Sequence, residues 1–284
     1  MTDDPTAAAI GSFRDTPDER LRTVLERLVT HLHAFVRDVR LTPAEWASTV
    51  DFLTAVGRAC TADRQEFILL SDVLGVSSLV ETVGAGDDPE VTDATVLGPF
   101  HVGASPVRAN GDSIDLVGGG EPCVVAGTVR AVDGTPLPGA TLDVWQCDHE
   151  GFYDVQVPDR QPPGNGRGLF TTDDAGGYRF RTVVPAPYPI PTDGPVGDLL
   201  RATRRHPYRP AHIHVIAAAA GHRPVTTHVF VAGDPYLESD AVFAVRRSLV
   251  REFTVVDDPD RAADLGVANP FRDVRFDIVL ERTA

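Results

Sequence analysis

Arg209-Pro210-Ala211-His212-Ile213-His214-Val215 places two histidines one residue apart in a run that reads as a β-strand. Strand side chains alternate between faces, so His212 and His214 point the same way. Two imidazoles on one face can grip one metal ion, and the same pair is compatible with ordinary strand packing. The chain carries its own contrast in His31-Leu32-His33. That pair lies in a helical pattern, where residues two apart diverge by about 200°, and it reads as solvated surface. Chelation at His212 and His214 therefore requires other donors to converge on them.

The strand belongs to a series of short strand patterns separated by Gly/Pro turns. They cover 122–132, 140–147, 168–172, 178–184, 211–217, 226–232 and 272–280, with Asp133-Gly134 and Gly176-Gly177 as turn signals. Such a series implies a β-sandwich. A short helix is expected at 241–250. Towards the N-terminus the period becomes helical. Thr16-Pro17-Asp18-Glu19 reads as a helix start with Thr as cap and Pro in the first turn. Leu21, Val24, Leu25, Leu28, Leu32, Phe35 and Val36 follow as one stripe. A second start is Thr42-Pro43-Ala44-Glu45, leading to Trp46, Val50, Leu53 and Val56. A third, Asp63-Arg64-Gln65-Glu66, runs through Phe67, Leu70, Val73 and Leu74 to about residue 83. The chain is thus expected to be mainly β with an α-helical N-terminal region. A flexible stretch, 1–15, precedes a helical unit, 16–90, which ends in a Gly-rich linker at 84–89. A β-sandwich catalytic domain covers 91–284. The helical unit is small for an independent core, so it should pack on the rest or on a second subunit.

Composition narrows the partners. The net charge of −15 argues against nucleic acid or an anionic membrane surface. No 18-residue apolar run suggests a membrane span. Met1-Thr2-Asp3-Asp4-Pro5 is acidic and lacks the apolar stretch of a signal peptide. The three cysteines, Cys60, Cys123 and Cys147, are scattered without a CxxC. They fit a reducing cytoplasm and argue against a thiolate zinc site.

Two stretches, 153–167 and 185–208, resist assignment, and long proline-rich loops inside a compact domain are usually functional. Each holds a tyrosine. Tyr153 lies in GFYDVQ (151–156), straight after a strand end. Tyr188 lies between Pro187 and Pro189, which hold its direction. An ordinary tyrosine is half-buried with its hydroxyl bonded. Two phenolates beside two imidazoles, however, make a specific offer to a metal. Hard anionic oxygen suits Fe(III) better than Zn(II) or Fe(II). Such a set has net charge −2 and leaves room for a bidentate dianion, for which a catecholate is the natural candidate.

GFYDVQ, the Pro-flanked Tyr188 and RPAHIHV together resemble the intradiol ring-cleavage dioxygenases. Tyr153 and Tyr188 are 35 residues apart, and Tyr188 and His212 are 24 apart, spacings that fit the family. The resemblance extends to LGPF (97–100), LPGATLDVWQCD (137–148), GRGLFTTDDAGGYRF (166–180), VAGDPYLESD (231–240) and the N-terminal helices. It implies a non-haem Fe(III), one per subunit, held by Tyr153, Tyr188, His212 and His214. It implies that Tyr188 is displaced by substrate and takes its proton. It gives Arg209, by itself a plain strand-end arginine, a place over the substrate ring. The product implied is a muconate, with O2 as co-substrate. The helical unit is implied to form a homodimer contact that can hold a phospholipid.

The same resemblance implies a substrate pocket of Leu69, Asp72, Val96, Leu97, Gly98, Pro99, Phe100, Pro189, Ile190, Pro191, Arg209 and His228. FILLSDVLGVSSLVE (67–81), IPTDGPVGDLL (190–200) and THVFVAGDPYLESDAVFAV (227–245) look closest to the branch acting on hydroxyquinol, benzene-1,2,4-triol. An aspartate on a helix is normally solvated. In that branch, an acidic residue at the place of Asp72 faces the pocket and can accept a hydrogen bond from a third ring hydroxyl. The expected reaction is ring opening of hydroxyquinol to 3-hydroxy-cis,cis-muconate, whose keto form is maleylacetate. Catechol or chlorocatechol cleavage is the alternative within the class. A non-catalytic, prealbumin-like module binding small apolar ligands is the alternative outside it.

Overall fold

A computed structural model of the chain describes residues 4–61, 64–84, 86, 88–103 and 105–283. Within the stretch expected to be flexible, α1 (Thr6–Gly11) forms and is tied to α2 (Glu19–Val39) by side chains. The Arg37 guanidinium donates to both Asp4 carboxylate oxygens at 2.7 Å, and the Thr6 hydroxyl lies 2.8 Å from His33 Nδ1. His33 is therefore engaged rather than solvated, while His31 is exposed. Helix α2 is capped by Asp18 instead of Thr16: its carboxylate accepts from the Leu21 amide at 3.0 Å. A carboxylate there also meets the positive end of the helix dipole. The next helix, α3 (Pro43–Ala59), begins where the sequence indicates. The Glu45 carboxylate accepts from the Thr42 amide and hydroxyl, each at 2.8 Å, which is a capping box. Residues 1–58 make one compact unit and residues 59–284 a second.

In the second unit the expected third helix is two helices, α4 (Glu66–Val73) and α5 (Val76–Gly84), bent by 76°. Gly75 makes the break. Its φ of +73° is strained for any side chain, and a Cβ there would stand 3.3 Å from the Phe243 ring. Asp63, read as part of this helix's start, and linker residues Ala85 and Asp87 lie outside the described residues. Among the described residues no single helix is long and apolar enough to cross a membrane.

The remaining elements are β1 (Pro122–Ala131), β2 (Thr141–Trp145), β3 (Arg167–Thr171), β4 (Gly177–Val183), β5 (Tyr188–Pro189), α6 (Pro195–Ala202), β6 (Tyr208–Arg209), β7 (His212–Ala218), β8 (Val225–Val231), β9 (Val250–Arg251), β10 (Thr254–Val256), α7 (Pro259–Leu265), β11 (Phe271–Arg275) and β12 (Ile278–Leu280). In one sheet β1 has β4 antiparallel on one side, and β11 followed by β12, both parallel, on the other. The single strand read at 272–280 is split at Phe276-Asp277 because the backbone kinks towards Gly127. A Cβ at Gly127 would collide with the Phe276 carbonyl. Asp277 accepts from the Thr128 amide and hydroxyl at 2.9 Å, replacing the lost ladder contact. The second sheet runs β3-β2-β7-β8-β9. Phe170 of β3 and Phe180 of β4, both fully buried, stack across the two sheets with ring centroids 5.3 Å apart. The architecture is therefore the expected sandwich.

The structure departs from the sequence-based expectation in two further places. The helix read at 241–250 is a loop with one 3-10 turn at Arg247–Leu249. The Asp240 carboxylate captures the Val242 and Ala244 amides, and the left-handed φ of +57° at Phe243 is incompatible with a helix. The proline-rich stretch at 185–208 is not structureless. It contains β5 and α6, the latter with Pro195 in the first turn, a position that needs no amide donor.

Phe170→Ala should lower unfolding stability by about 3–5 kcal/mol, because it opens a cavity between the sheets. Denaturant unfolding followed by far-UV circular dichroism measures this, and a loss under about 1 kcal/mol would show that this contact does not hold the sandwich together.

Candidate active site

Strand β7 lies between β2 and β8, and this register assembles half of the site. His214 is opposite Trp145 on one side and His228 on the other. The Trp145 indole stacks on the His214 ring at 4.6 Å and 11°. The His212 Nδ1 lies 2.6 Å from the Pro210 carbonyl. Donating its Nδ1 proton there leaves the His212 Nε2 lone pair facing inward.

The tyrosines come from the two loops that sequence left unassigned. The Asp148 carboxylate accepts from the Glu150 and Phe152 amides at 2.9 and 3.0 Å, closing a turn that presents Tyr153. Gly151, with φ of +88°, lets Tyr188 approach, since a Cβ would stand 3.1 Å from the Tyr188 Cβ. A buried ion pair anchors the chain just beyond Tyr153. Arg167 donates from Nε to Asp154 Oδ1 at 2.8 Å and from NH1 to the Phe100 carbonyl at 2.9 Å. Phe100 in turn stacks on Tyr153 at 4.5 Å. Tyr188 belongs to β5, whose cross-strand partner is Arg209 of β6. That pairing sets Tyr188 beside the guanidinium.

The four expected metal ligands meet. His212 Nε2 and His214 Nε2 are 3.0 Å apart, His214 Nε2 and the Tyr153 hydroxyl 3.1 Å, and the two tyrosine hydroxyls 3.2 Å. All four residues are at most 2% exposed. Ligands about 2.0–2.1 Å from one ion and roughly at right angles keep about this separation. Two imidazole nitrogens and two phenol oxygens are also the donor chemistry of a hard, highly charged cation. Burial pushes the Tyr153 phenol well above its ordinary pKa, raises that of Tyr188, and pushes both imidazoles well below theirs. For Tyr188 the neighbouring Arg209 partly offsets the rise. A bound cation reverses this balance at the tyrosines by stabilising phenolate directly. The residues present therefore fit a ferric ion.

Arg209 NH1 lies 3.4 Å from the Tyr188 hydroxyl and 3.2 Å from His212 Nε2. His228 is fully buried behind the histidine pair, its Nδ1 bonded to the Thr95 hydroxyl. One ligand atom each from His212, His214 and His228 falls within 4.8 Å of the others. Of the expected pocket residues, Leu69, Asp72, Gly98, Pro99, Phe100 and Pro191 line a cavity of about 730 Å³. Gly98 brings this wall against the ligands, since a Cβ there would stand 3.2 Å from His214 Cε1. Val96 and Ile190 are buried and do not line this cavity, while Leu97 and Pro189 are exposed. Sequence reasoning missed His101, Asp143, Asp154, Arg167 and Asp240. His101 lines the cavity and its Nε2 lies 3.1 Å from Asp143. Asp154 directly follows Tyr153, and Arg167 begins an otherwise apolar strand. Charges in such places are the one available signal.

Burial raises the Asp72 pKa, opposed by a Ser77 hydrogen bond and by Arg209. A raised carboxyl pKa means the folded protein holds the proton longer than the unfolded chain. Stability is then lost as pH rises from the ordinary carboxylate range through the raised value. Asp72→Asn should therefore be more stable than the parent at about pH 8 and lose that advantage towards about pH 4. Denaturation midpoints at both pH values measure this, and a pH-independent difference would contradict the burial argument.

Comparison with known proteins agrees with this geometry. Residues 101–282 match the family model described as "Dioxygenase", and residues 18–91 match "Catechol dioxygenase N terminus". A hydroxyquinol 1,2-dioxygenase of Rhizobium sp. is 47% identical over 274 residues, covering 96% of this chain and 93% of that protein. The crystal structure of a hydroxyquinol 1,2-dioxygenase from Pseudomonas putida superposes with a TM-score of 0.91 at 44% identity, covering 98% of this chain and 97% of that one. A catechol 1,2-dioxygenase from Acinetobacter sp. superposes at 0.82 with 31% identity, covering 98% and 91%. The chain belongs to the intradiol ring-cleavage dioxygenase family.

Proposed function

We propose that this protein is a ferric intradiol dioxygenase that opens the ring of hydroxyquinol with O2, giving 3-hydroxy-cis,cis-muconate and its keto form, maleylacetate. The observation that carries this reading is the meeting of two tyrosines and two histidines beside a cavity with Asp72 in its wall. Tyr153, Tyr188, His212 and His214 would hold one Fe(III) per subunit. Bound iron would withdraw electron density from a chelated diolate and so open the ring carbon to O2. Tyr188 would accept a substrate proton, with the Arg209 guanidinium 3.4 Å away stabilising its phenolate until then. Arg209 also faces the ring and complements the negative charge that builds there. Asp72 hydrogen-bonds the third hydroxyl, which catechol lacks. Gly98, Pro99, Phe100, Leu69 and Pro191 form the remaining walls, with Val96, Ile190 and His228 buried. The similarity to hydroxyquinol-cleaving relatives supports the choice of triol over diol.

The helical unit is assigned to self-association. Leu21, Val24, Leu28, Leu32, Phe35 and Val36 are each more than 40% exposed on α2, a stripe too large and continuous for solvent. We assign it to a second copy of the chain, with a phospholipid as a further apolar occupant of that contact, and the dimer to the cytoplasm on the cysteine pattern. Light scattering should give twice the chain mass, and Leu28→Glu should shift it towards the monomer. A parent protein that is monomeric at micromolar concentration would end this assignment.

Purified protein should carry one iron per chain and absorb visible light through ferric tyrosinate. Oxygen uptake should be faster with hydroxyquinol than with catechol or chlorocatechols. Asp72→Ala should cut kcat/KM for hydroxyquinol about tenfold to a hundredfold, the worth of one hydrogen bond to a charged group, and change catechol turnover less. A colourless protein that stays inert after Fe(III) addition would favour simple ligand binding. Equal losses on both substrates would reduce Asp72 to a structural role.

A further inference from the structure

Arg209 is 2% exposed, and each of its three nitrogens has a different fate. The Nε donates to Asp240 Oδ1 at 3.3 Å. NH1 faces the Tyr188 hydroxyl and His212 Nε2. NH2 is buried without a hydrogen-bond partner. A flexible side chain of this length aims its guanidinium only if something holds it, and the proton acceptor on the side away from the tyrosines is Asp240.

Asp240 is itself held. It is 4% exposed. Its Oδ1 also accepts from the Val242 amide at 3.2 Å, and its Oδ2 accepts from the Ala244 amide at 3.0 Å. The loop that supplies those amides is pinned in turn. The Ala241 amide donates to the Tyr208 carbonyl at 3.1 Å, next to Arg209 in the chain. Arg205 donates to the Ala241 carbonyl at 2.9 Å and lies over the Phe243 ring at 4.9 Å. The Ser78 hydroxyl of α5 donates to the Phe243 carbonyl at 2.7 Å. Asp240 thus meets Arg209 from a fixed position. It is also the neutralising charge that makes a buried guanidinium tolerable.

We propose that Asp240 is a positioning residue for ring cleavage, an inference that rests on the function proposed above. By holding Nε, it turns the NH1 and NH2 edge of Arg209 towards the space beside Tyr188 and His212. The unpartnered NH2 is then a preorganised donor for negative charge on the bound ring. Asp240 bonds none of the four donors and does not line the cavity beside Asp72; among the described residues its hydrogen-bonded link to the site is Arg209, and its charge also bears on Asp72.

The test is a double-mutant cycle on the iron-loaded enzyme. Asp240→Asn keeps an acceptor for Nε but removes the charge. It should lower kcat for hydroxyquinol about tenfold to a hundredfold with KM changed less than about threefold. In an Arg209→Gln background the same substitution should cost nothing further, because the group it positions is gone. Anaerobic catechol titration, followed by visible absorption, should show the same non-additivity without turnover. Asp240→Glu, which restores the charge, should recover part of the loss. Circular dichroism and iron content establish that each variant is folded and loaded. Losses that multiply in the double variant, or an Asp240→Asn enzyme with unchanged kcat and titration, would overturn the inference. The parent enzyme serves as control: its failure to consume O2 with hydroxyquinol would instead refute the proposed function, while the titration would still report on Asp240.

Discussion

Four polar donors stand about 3 Å apart in a part of the protein closed to water, and the rest of the architecture answers to that. Burial disfavours charge on every one of them. Their positions are nonetheless over-determined. The Pro210 carbonyl fixes one histidine, an indole covers the other, Phe100 covers Tyr153, and strand pairing with Arg209 holds Tyr188. In a dry interior a cation placed among these groups interacts strongly with each of them. Donors pre-placed in this way need little rearrangement to accept such an ion.

Such a site requires other charges to be buried around it. Arg167 with Asp154 and Arg209 with Asp240 are each nearly inaccessible pairs. Glu66, fully buried, bonds Arg64 and accepts from the Val196 amide at 3.1 Å. It thereby ties α4, with Leu69 and Asp72, to the start of α6. Pairs of this kind contribute little net stability, because desolvation offsets their attraction. Their value lies in direction: one sets the Tyr153 turn, one aims Arg209, and one places the cavity wall. Asp72 is 4% exposed, and the charges of Arg209 and Asp240 act on it in opposite directions.

The sandwich was legible because period-two alternation and Gly/Pro turns report local geometry. Helices α2 and α3 were legible for the same reason. Two of the misread elements were decided by contacts distant in the chain. The approach of Phe243 made Gly75 a break in the third helix, and the Phe276 carbonyl needed the space at Gly127, which split the last strand. The helix read at 241–250 was instead prevented locally, by the left-handed backbone at Phe243.

For the site, the sequence by itself determined that His212 and His214 share a face, and it supplied two tyrosines in proline-rich loops. With the family resemblance, that pointed to four donors and Arg209, which the structure brings together. Only the tertiary structure decided the distances among the four donors, the orphaned NH2 of Arg209 and the anchors Asp154, Arg167 and Asp240. The physical reason is that alternation fixes direction within one strand, whereas convergence depends on loop closures and buried ion pairs between residues far apart in the chain.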